Sequence, residues 1–238
     1  MQELLIITPV KDSIDHTIRT MEAVVQSELT VPHRYVVFND NSTPENTARL
    51  HTEAARLGVE VVDLSTLTDH PSPNYLFVLR RCRKEALADD AGLLIVESDV
   101  TVQRDTLQKL FDGATARPNC GIAAAVTVDE EGKINYPYLY ARGNEGKDYD
   151  CKKHCSFCCS LLTPALLKAC DFDRLDDSKN WFDVTISHDS LAAGLHNYLF
   201  CSLPVLHRPH GSRPWKQLKY TNPIKYYWTK WTKGFDKI

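Results

Sequence analysis

Short apolar runs alternate with helix-patterned segments through the first 128 residues, and this alternation leaves few folds open to the chain. The runs are residues 4–9 (LLIITP), 34–40 (RYVVFND), 59–64 (VEVVDL), 93–98 (LLIVES) and 121–128 (GIAAAVTV). They have strand length and are too short for buried helices. Between them, 13–27, 43–58, 74–88 and 104–117 read as helices. The first places Ile14, Ile18, Met21 and Val25 at helical spacing behind Ser13 as N-cap. The second opens with Thr43 as N-cap and Pro44 at the first helical position, and closes on Gly58. Strands apolar on both faces and separated by helices predict a parallel sheet covered on both sides, an α/β fold.

In such sheets ligands sit beyond the carboxyl ends of the strands. Three runs end in polar residues: Thr8, the stretch Asn39-Asp40-Asn41-Ser42, and Glu97-Ser98-Asp99. They are expected to converge on one crevice. Residues i and i+2 of an extended chain share a side, so Glu97 and Asp99 can face one ligand. Taken alone, the tripeptide also reads as a solvated strand end. No Gly-x-Gly occurs, so the dinucleotide fingerprint and the Walker A loop are both missing. A phosphate here has to be held another way, and a divalent cation such as Mn²⁺ or Mg²⁺, bound by carboxylates, is the obvious one. No organic cofactor is expected.

The second half is less regular. Residues 136–142 (YPYLYAR) read as a strand, and FCCSLLTPALLKACDFD as a strand followed by a short helix opened by Thr163 and Pro164. SHDSLAAGLHNYLF reads as a helix with Ser187 as N-cap and His188 and Asp189 in its first turn, running to Gly194. YLFCSLPVLHRPHGSR reads as two short edge segments.

The ordered set IITPVKDS, VVFNDNST, LLIVESDV, CDFDRL, SHDSLAAGLHN and HRPHGSR resembles the family 2 glycosyltransferases of GT-A fold. That family shows a strand ending near Pro, then Asp-Asp-Gly-Ser, a D-x-D motif, Gly-Gly-Phe-Asp, a Glu-Asp pair opening a helix, and a His-bearing strand. The resemblance covers nearly the whole chain. It implies a Rossmann-like, mainly parallel sheet in a GT-A domain over 1–212. Residues 1–128 would form the nucleotide-sugar half, and 129–212 an irregular acceptor and catalytic half. Residues 213–238 would be a basic, aromatic extension.

The implied activity is transfer of a sugar from a UDP-, GDP- or dTDP-linked donor to a hydroxyl of a carbohydrate or glycolipid, with inversion and a divalent cation. Thr8 and Pro9 would close the first strand beside the donor. Asp40 would bond the nucleotide base, although either of the two family acids can be the one it replaces. Glu97 and Asp99 stand at the two acids of D-x-D, which meet ribose and metal. Arg81 falls on an Arg that approaches the donor, with Cys82 where the family has Asn. The metal would be completed by His207 or His210, while Arg208 and Arg213 would neutralise the diphosphate. Asp189 would be the general base, since deprotonating the acceptor hydroxyl needs one positioned carboxylate. His188 replaces the Glu before it. The plainer alternative is that Asp189 only complements a helix dipole.

CKKHCSFCC (151–159) offers Cys155-x-x-Cys158 as half of a zinc site, but no second half follows, so ordinary packing without structural zinc is expected. The net charge of -3 gives no reason to expect a nucleic-acid partner. That charge is uneven: residues 213–238 hold seven Lys/Arg against one Asp, or +6, leaving 21 minus 30, or -9, elsewhere. Three of the four Trp lie in this tail. It suits a sugar-binding lip, an oligomer contact, a membrane surface, or a helix packed back on the core. Without an export-like or membrane-spanning apolar stretch, the eight cysteines read as reduced thiols in a cytoplasmic protein, peripheral at most at the inner face of a membrane. Two rivals share this sheet: a sugar nucleotidyltransferase, whose Gly-rich phosphate loop is missing at PVKDS, and a non-catalytic sugar or nucleotide binder.

Overall fold

The computed structural model describes residues 1–178, 181–209, 218 and 222–232. The expected alternation forms. Strand β1 (Leu4–Val10), helix α1 (Ile14–Val25), β2 (His33–Asn39), α2 (Pro44–Leu57), β3 (Glu60–Asp63), α3 (Tyr75–Ala88) and β4 (Gly92–Val96) follow in order. In α2 the Thr43 hydroxyl accepts from the Asn46 N–H, Pro44 begins the helix, and Gly58 ends it at φ 70°, a left-handed backbone that glycine adopts without strain. Ser13 differs from expectation: its hydroxyl donates to the Lys11 carbonyl instead of capping α1.

The rest comprises β5 (Val100–Thr101), α4 (Thr106–Thr115), β6 (Cys120–Val128), β7 (Tyr149–Asp150), β8 (Cys159–Leu162), α5 (Pro164–Ala169), α6 (Phe182–Ala192), β9 (His196–His207) and α7 (Pro223–Thr232). The sheet order is β3-β2-β1-β4-β8-β6-β9-β5, with β7 on β9. Strands β3, β2, β1 and β4 are parallel, as are β6 and β9. The fifth apolar run does not extend the parallel block directly. Strand β8, from the second half, lies antiparallel between β4 and β6.

Both faces of the sheet are covered, and β1 shows how. Its Leu5 and Ile7 pack with Leu79, Cys82 and Ala86 of α3. Its Leu4 and Ile6 pack on the other side with Val24 of α1 and Leu107 and Leu110 of α4. Each Leu, Ile or Val among them contributes about 1.5–3 kcal/mol by leaving water. The alternation holds the strand ends in register.

Three expectations for the second half are corrected. Residues 136–142 are turns and a short 3₁₀ segment (Leu139–Ala141). The aromatic alternation there serves packing, with Tyr138 buried and donating to the Ser156 carbonyl, and Tyr140 donating to that of His154. Residues 196–207 are one twelve-residue strand inside the sheet, not two edge segments. Helix α6 begins five residues earlier than Ser187, with Trp181 as its N-cap residue. Ser187 is a buried mid-helix residue whose hydroxyl accepts from the Cys155 N–H. Gly121 allows this close seating, because a Cβ there would lie 2.2 Å from the Ser190 hydroxyl.

Candidate functional site

The carboxyl ends of β1, β2 and β4 and the end of β9 form a polar crevice. Strand β4 delivers Glu97, whose N–H bonds the Cys158 carbonyl at 2.9 Å. A tight turn follows, with the Val100 N–H on the Glu97 carbonyl, and brings Asp99 beside the strand end. The short β5 then pairs Val100 with His207 of β9. This pairing sets Asp99 Oδ2 3.4 Å from His207 Nε2, with both side chains buried at 9% and 5% exposure. Glu97, Cys158 and His207 each have a ligand atom within 4.8 Å of the others.

Burial and mutual charge dominate the electrostatics of this group. Burial, then the charge of Asp99, push the Glu97 carboxyl up to about 7, with His207 and the Cys158 thiol acting against them. Burial works against a charged His207, but the hydrogen bond and charge of Asp99 and the charge of Glu97 outweigh it, holding the imidazole above its ordinary value. His207 Nδ1 lies 2.7 Å from the Tyr136 carbonyl. A carbonyl only accepts, so Nδ1 carries the proton and Nε2 is aimed at the acids, the orientation seen in metal-bound histidines. Burial and the charges of Glu97 and Asp99 raise the Cys158 thiol, which donates to Glu97 Oε2 at 3.3 Å. Carboxylate, imidazole and sulfur atoms are all donors that can hold a metal ion, and here they lie close together. Cys158, expected only to pack, is thus part of the group.

Stability should register this strain. Between Glu97's ordinary value of 4.5 and about 7, the folded state holds a proton that the unfolded state releases. Its contribution therefore weakens as pH rises through that window. His207 acts in the same direction, since the stabilisation from its raised pKa is full below 6.5 and lost above its folded value. The metal-free protein should lose melting temperature from about pH 5 to pH 8, and Glu97→Gln should raise it at about pH 8. Calorimetric scans of both proteins across that range check this; a variant no more stable than the parent at high pH contradicts it.

Next to the acids lies a cavity of about 140 Å³ lined by Pro9, Lys11, Asp40, Asn74 and Tyr75. Asp40 is buried and mostly engaged: it accepts from the Ser72 hydroxyl (2.7 Å) and from the Asn74 N–H and side-chain amide (both 2.8 Å). It thereby anchors the start of α3 at the crevice. Lys11 Nζ donates to the carbonyls of Asp40 and Asn41. Tyr75 has a buried hydroxyl with no hydrogen-bond partner among the described residues. Its acidity is suppressed by burial and then by the charges of Glu97 and Asp183. Lys11, Asn74, Tyr75 and Asp183 carried no signal in the sequence motifs, apart from their nearness to predicted strand and helix ends.

Other expected residues sit elsewhere. Thr8 is fully buried and bonds the Tyr35 hydroxyl at 2.9 Å, so it faces the interior and not the crevice. Arg81 pairs with Glu85, which also holds Arg34 at the amino end of β2, so its guanidinium points down the sheet away from the crevice. Arg208 keeps its N–H on the Asp99 carbonyl, while its side chain turns to Glu130 and Thr101. His188 and Asp189 are exposed, in the second half of α6. Asp189 lines a separate groove of about 830 Å³ with Cys170, Asp171, Arg174 and Trp181. The acid in the first turn of α6 is Asp183, which accepts from the Val184 N–H at 2.9 Å and raises Glu97 by its charge. His210 and Arg213 lie outside the described residues.

No protein-family model matches the sequence, and no curated protein matches it. Solved structures do match in fold. The mannosyltransferase PcManGT from Pyrobaculum calidifontis, in complex with GDP-Man and Mn²⁺, superimposes with a TM-score of 0.62 at 14% identity over 96% of this chain and 64% of its own. TarS 1-349 of S. aureus in complex with UDP-GlcNAc matches with a TM-score of 0.58 at 14% identity, over 87% of this chain and 59% of its own. The chain thus spans less than two thirds of either protein's length. Its fold is the GT-A fold, an α/β sheet flanked by helices that it shares with the mannosyltransferase.

Proposed function

We propose that this chain is a metal-dependent, inverting glycosyltransferase that moves a sugar from a nucleotide-diphosphate donor to a hydroxyl acceptor. The observation that carries this reading is the convergence of Glu97, Asp99 and His207 at the carboxyl end of the sheet. It is supported by the fold shared with a mannosyltransferase in complex with GDP-Man and Mn²⁺. Asp99, His207 and Glu97 would hold the cation, with Cys158 beside them. The bound cation would neutralise the diphosphate as it departs.

The chain's own residues supply the rest. The cavity between Pro9, Lys11, Asp40, Asn74 and Tyr75 receives the nucleotide, with Lys11 adding positive charge. The unpartnered Tyr75 hydroxyl offers a donor toward the sugar or phosphate oxygens. Asp183 takes the proton from the acceptor hydroxyl. It opens α6, and its charge acts on both Glu97 and Tyr75, which supports this role. This replaces Asp189, which lines the other groove. A single carboxylate base assisting direct displacement inverts the anomeric carbon.

A thermal-shift panel of nucleotide diphosphates and their sugars, each with and without Mn²⁺, tests the reading. A ligand at 100 times its Kd adds about 2.7 kcal/mol of stability. One nucleotide class should stand out, and only with the cation. Stabilisation by none, or equally well in chelator, sinks the proposal. Slow Mn²⁺-dependent hydrolysis of the selected nucleotide sugar distinguishes an enzyme from a binding protein.

A further inference from the structure

Among the described residues, seven large apolar side chains are exposed, and four of them belong to α7: Ile224 at 85%, Tyr227 at 59%, Trp228 at 65% and Trp231 at 78%. Their spacing is i, i+3, i+4 and i+7, which places them on one arc of roughly 100° along the helix. Tyr226, on the opposite side of α7, is buried at 6% exposure. The helix therefore rests on the protein through Tyr226 and turns its apolar stripe outward. Lys225 and Lys230 fall on either flank of the stripe at about 100° per residue. Trp228 and Trp231 stack edge to face at 6.5 Å, presenting a continuous aromatic ridge.

Concentrated exposed apolar surface of this kind marks a contact site. Charge selects the occupant. The surrounding segment 213–238 carries +6 while the remainder of the chain carries -9. Two copies meeting through this stripe would bring their basic tails together, whereas an anionic bilayer would neutralise them. Indole and phenol rings favour the boundary between lipid headgroups and acyl chains, and flanking lysines reach back to the phosphates. We infer that α7 is an interfacial anchor that lays Ile224, Tyr227, Trp228 and Trp231 into the surface of an anionic membrane. Among the described residues no helix is long and apolar enough to span a bilayer, so the mode is adsorption in the interface plane.

Flotation of the full chain with phosphatidylcholine vesicles, with and without phosphatidylglycerol, tests the inference. The protein should float with the anionic vesicles, and its tryptophan emission should shift to the blue. Affinity should drop at least about tenfold for neutral vesicles, in high salt, and in the double variant Trp228→Ala/Trp231→Ala. Both Trp are exposed, so that variant should stay folded; the charge variant Lys225→Glu/Lys230→Glu gives a second readout of the same surface. Absence of vesicle binding by the parent overturns the inference, as does binding that neither variant weakens. Sedimentation showing a dimer that the Trp variant dissolves, with no vesicle binding, assigns the stripe to a second copy and overturns it too. Mn²⁺-dependent nucleotide binding, read separately, reports on the transferase proposal and does not depend on this outcome.

Discussion

Asp183→Asn is expected to reduce transferase turnover by roughly 10²–10⁴-fold while leaving donor affinity within a few-fold of the parent. Proton removal is needed only as the acceptor attacks, so loss of the base weakens the transition state and not the ground-state complex. Asparagine keeps an oxygen for the Val184 N–H, so the first turn of α6 should persist. Asp189→Asn provides the internal comparison. Its side chain is exposed and lines a different groove, so turnover should change less than about tenfold and stability within about 0.5 kcal/mol. Both variants are assayed on the donor identified by the thermal-shift panel, measuring turnover and donor affinity together. If Asp189→Asn is the crippled one, the base assignment reverts to the second half of the helix.

Asp99→Asn is expected to abolish Mn²⁺-dependent nucleotide binding. Asp99 is buried and touches His207, so it is the carboxylate with the least access to water as an alternative partner. Asparagine preserves shape but removes the charge that a hard cation requires. The loss also lets His207 fall toward its ordinary pKa, because the hydrogen bond and charge of Asp99 are what raise it against burial. Calorimetric titration of a nucleoside diphosphate with Mn²⁺ reads the first effect, and imidazole proton NMR across pH reads the second. In the metal-free parent, His207 should titrate higher than in the variant. Unchanged nucleotide affinity would remove Asp99 from the metal site, while an unchanged His207 titration would show that the two side chains are uncoupled in solution.

The two halves of the chain differed in how openly they declared themselves. Strands β1, β2 and β4 bury apolar residues on both faces, and the elements are bounded by caps and turns, as at Thr43, Pro44 and Gly58, so local pattern was enough to locate them. The polar strand ends at Asp40 and Glu97-x-Asp99 were legible for the same reason. Helix α6 was not. It buries Phe182, Val184, Ile186, Ser187 and Ser190, which wrap around it and leave no single apolar stripe. Local pattern therefore suggests a first turn holding Asp189, whereas the helix starts at Phe182 and holds Asp183 there. Thr8 and Arg81 are a different case. Sequence position brought them near the crevice, but partners distant in the chain, Tyr35 and Glu85 with Arg34, turned their side chains elsewhere.

By itself the sequence determined the class of fold, the polar rim of the sheet and the presence of paired acids, because these depend on periodicity and on residues close in the chain. The tertiary structure alone decided which groups meet. It inserted β8 beside β4, placing Cys158 against Glu97. It closed β9 onto β5, placing His207 against Asp99 across 108 positions of chain. The physical reason is that burial and charge coupling act through space. Glu97 is raised by burial and by Asp99, and His207 is oriented by the carbonyl of Tyr136; neither effect has a local signature that a reading along the chain can detect.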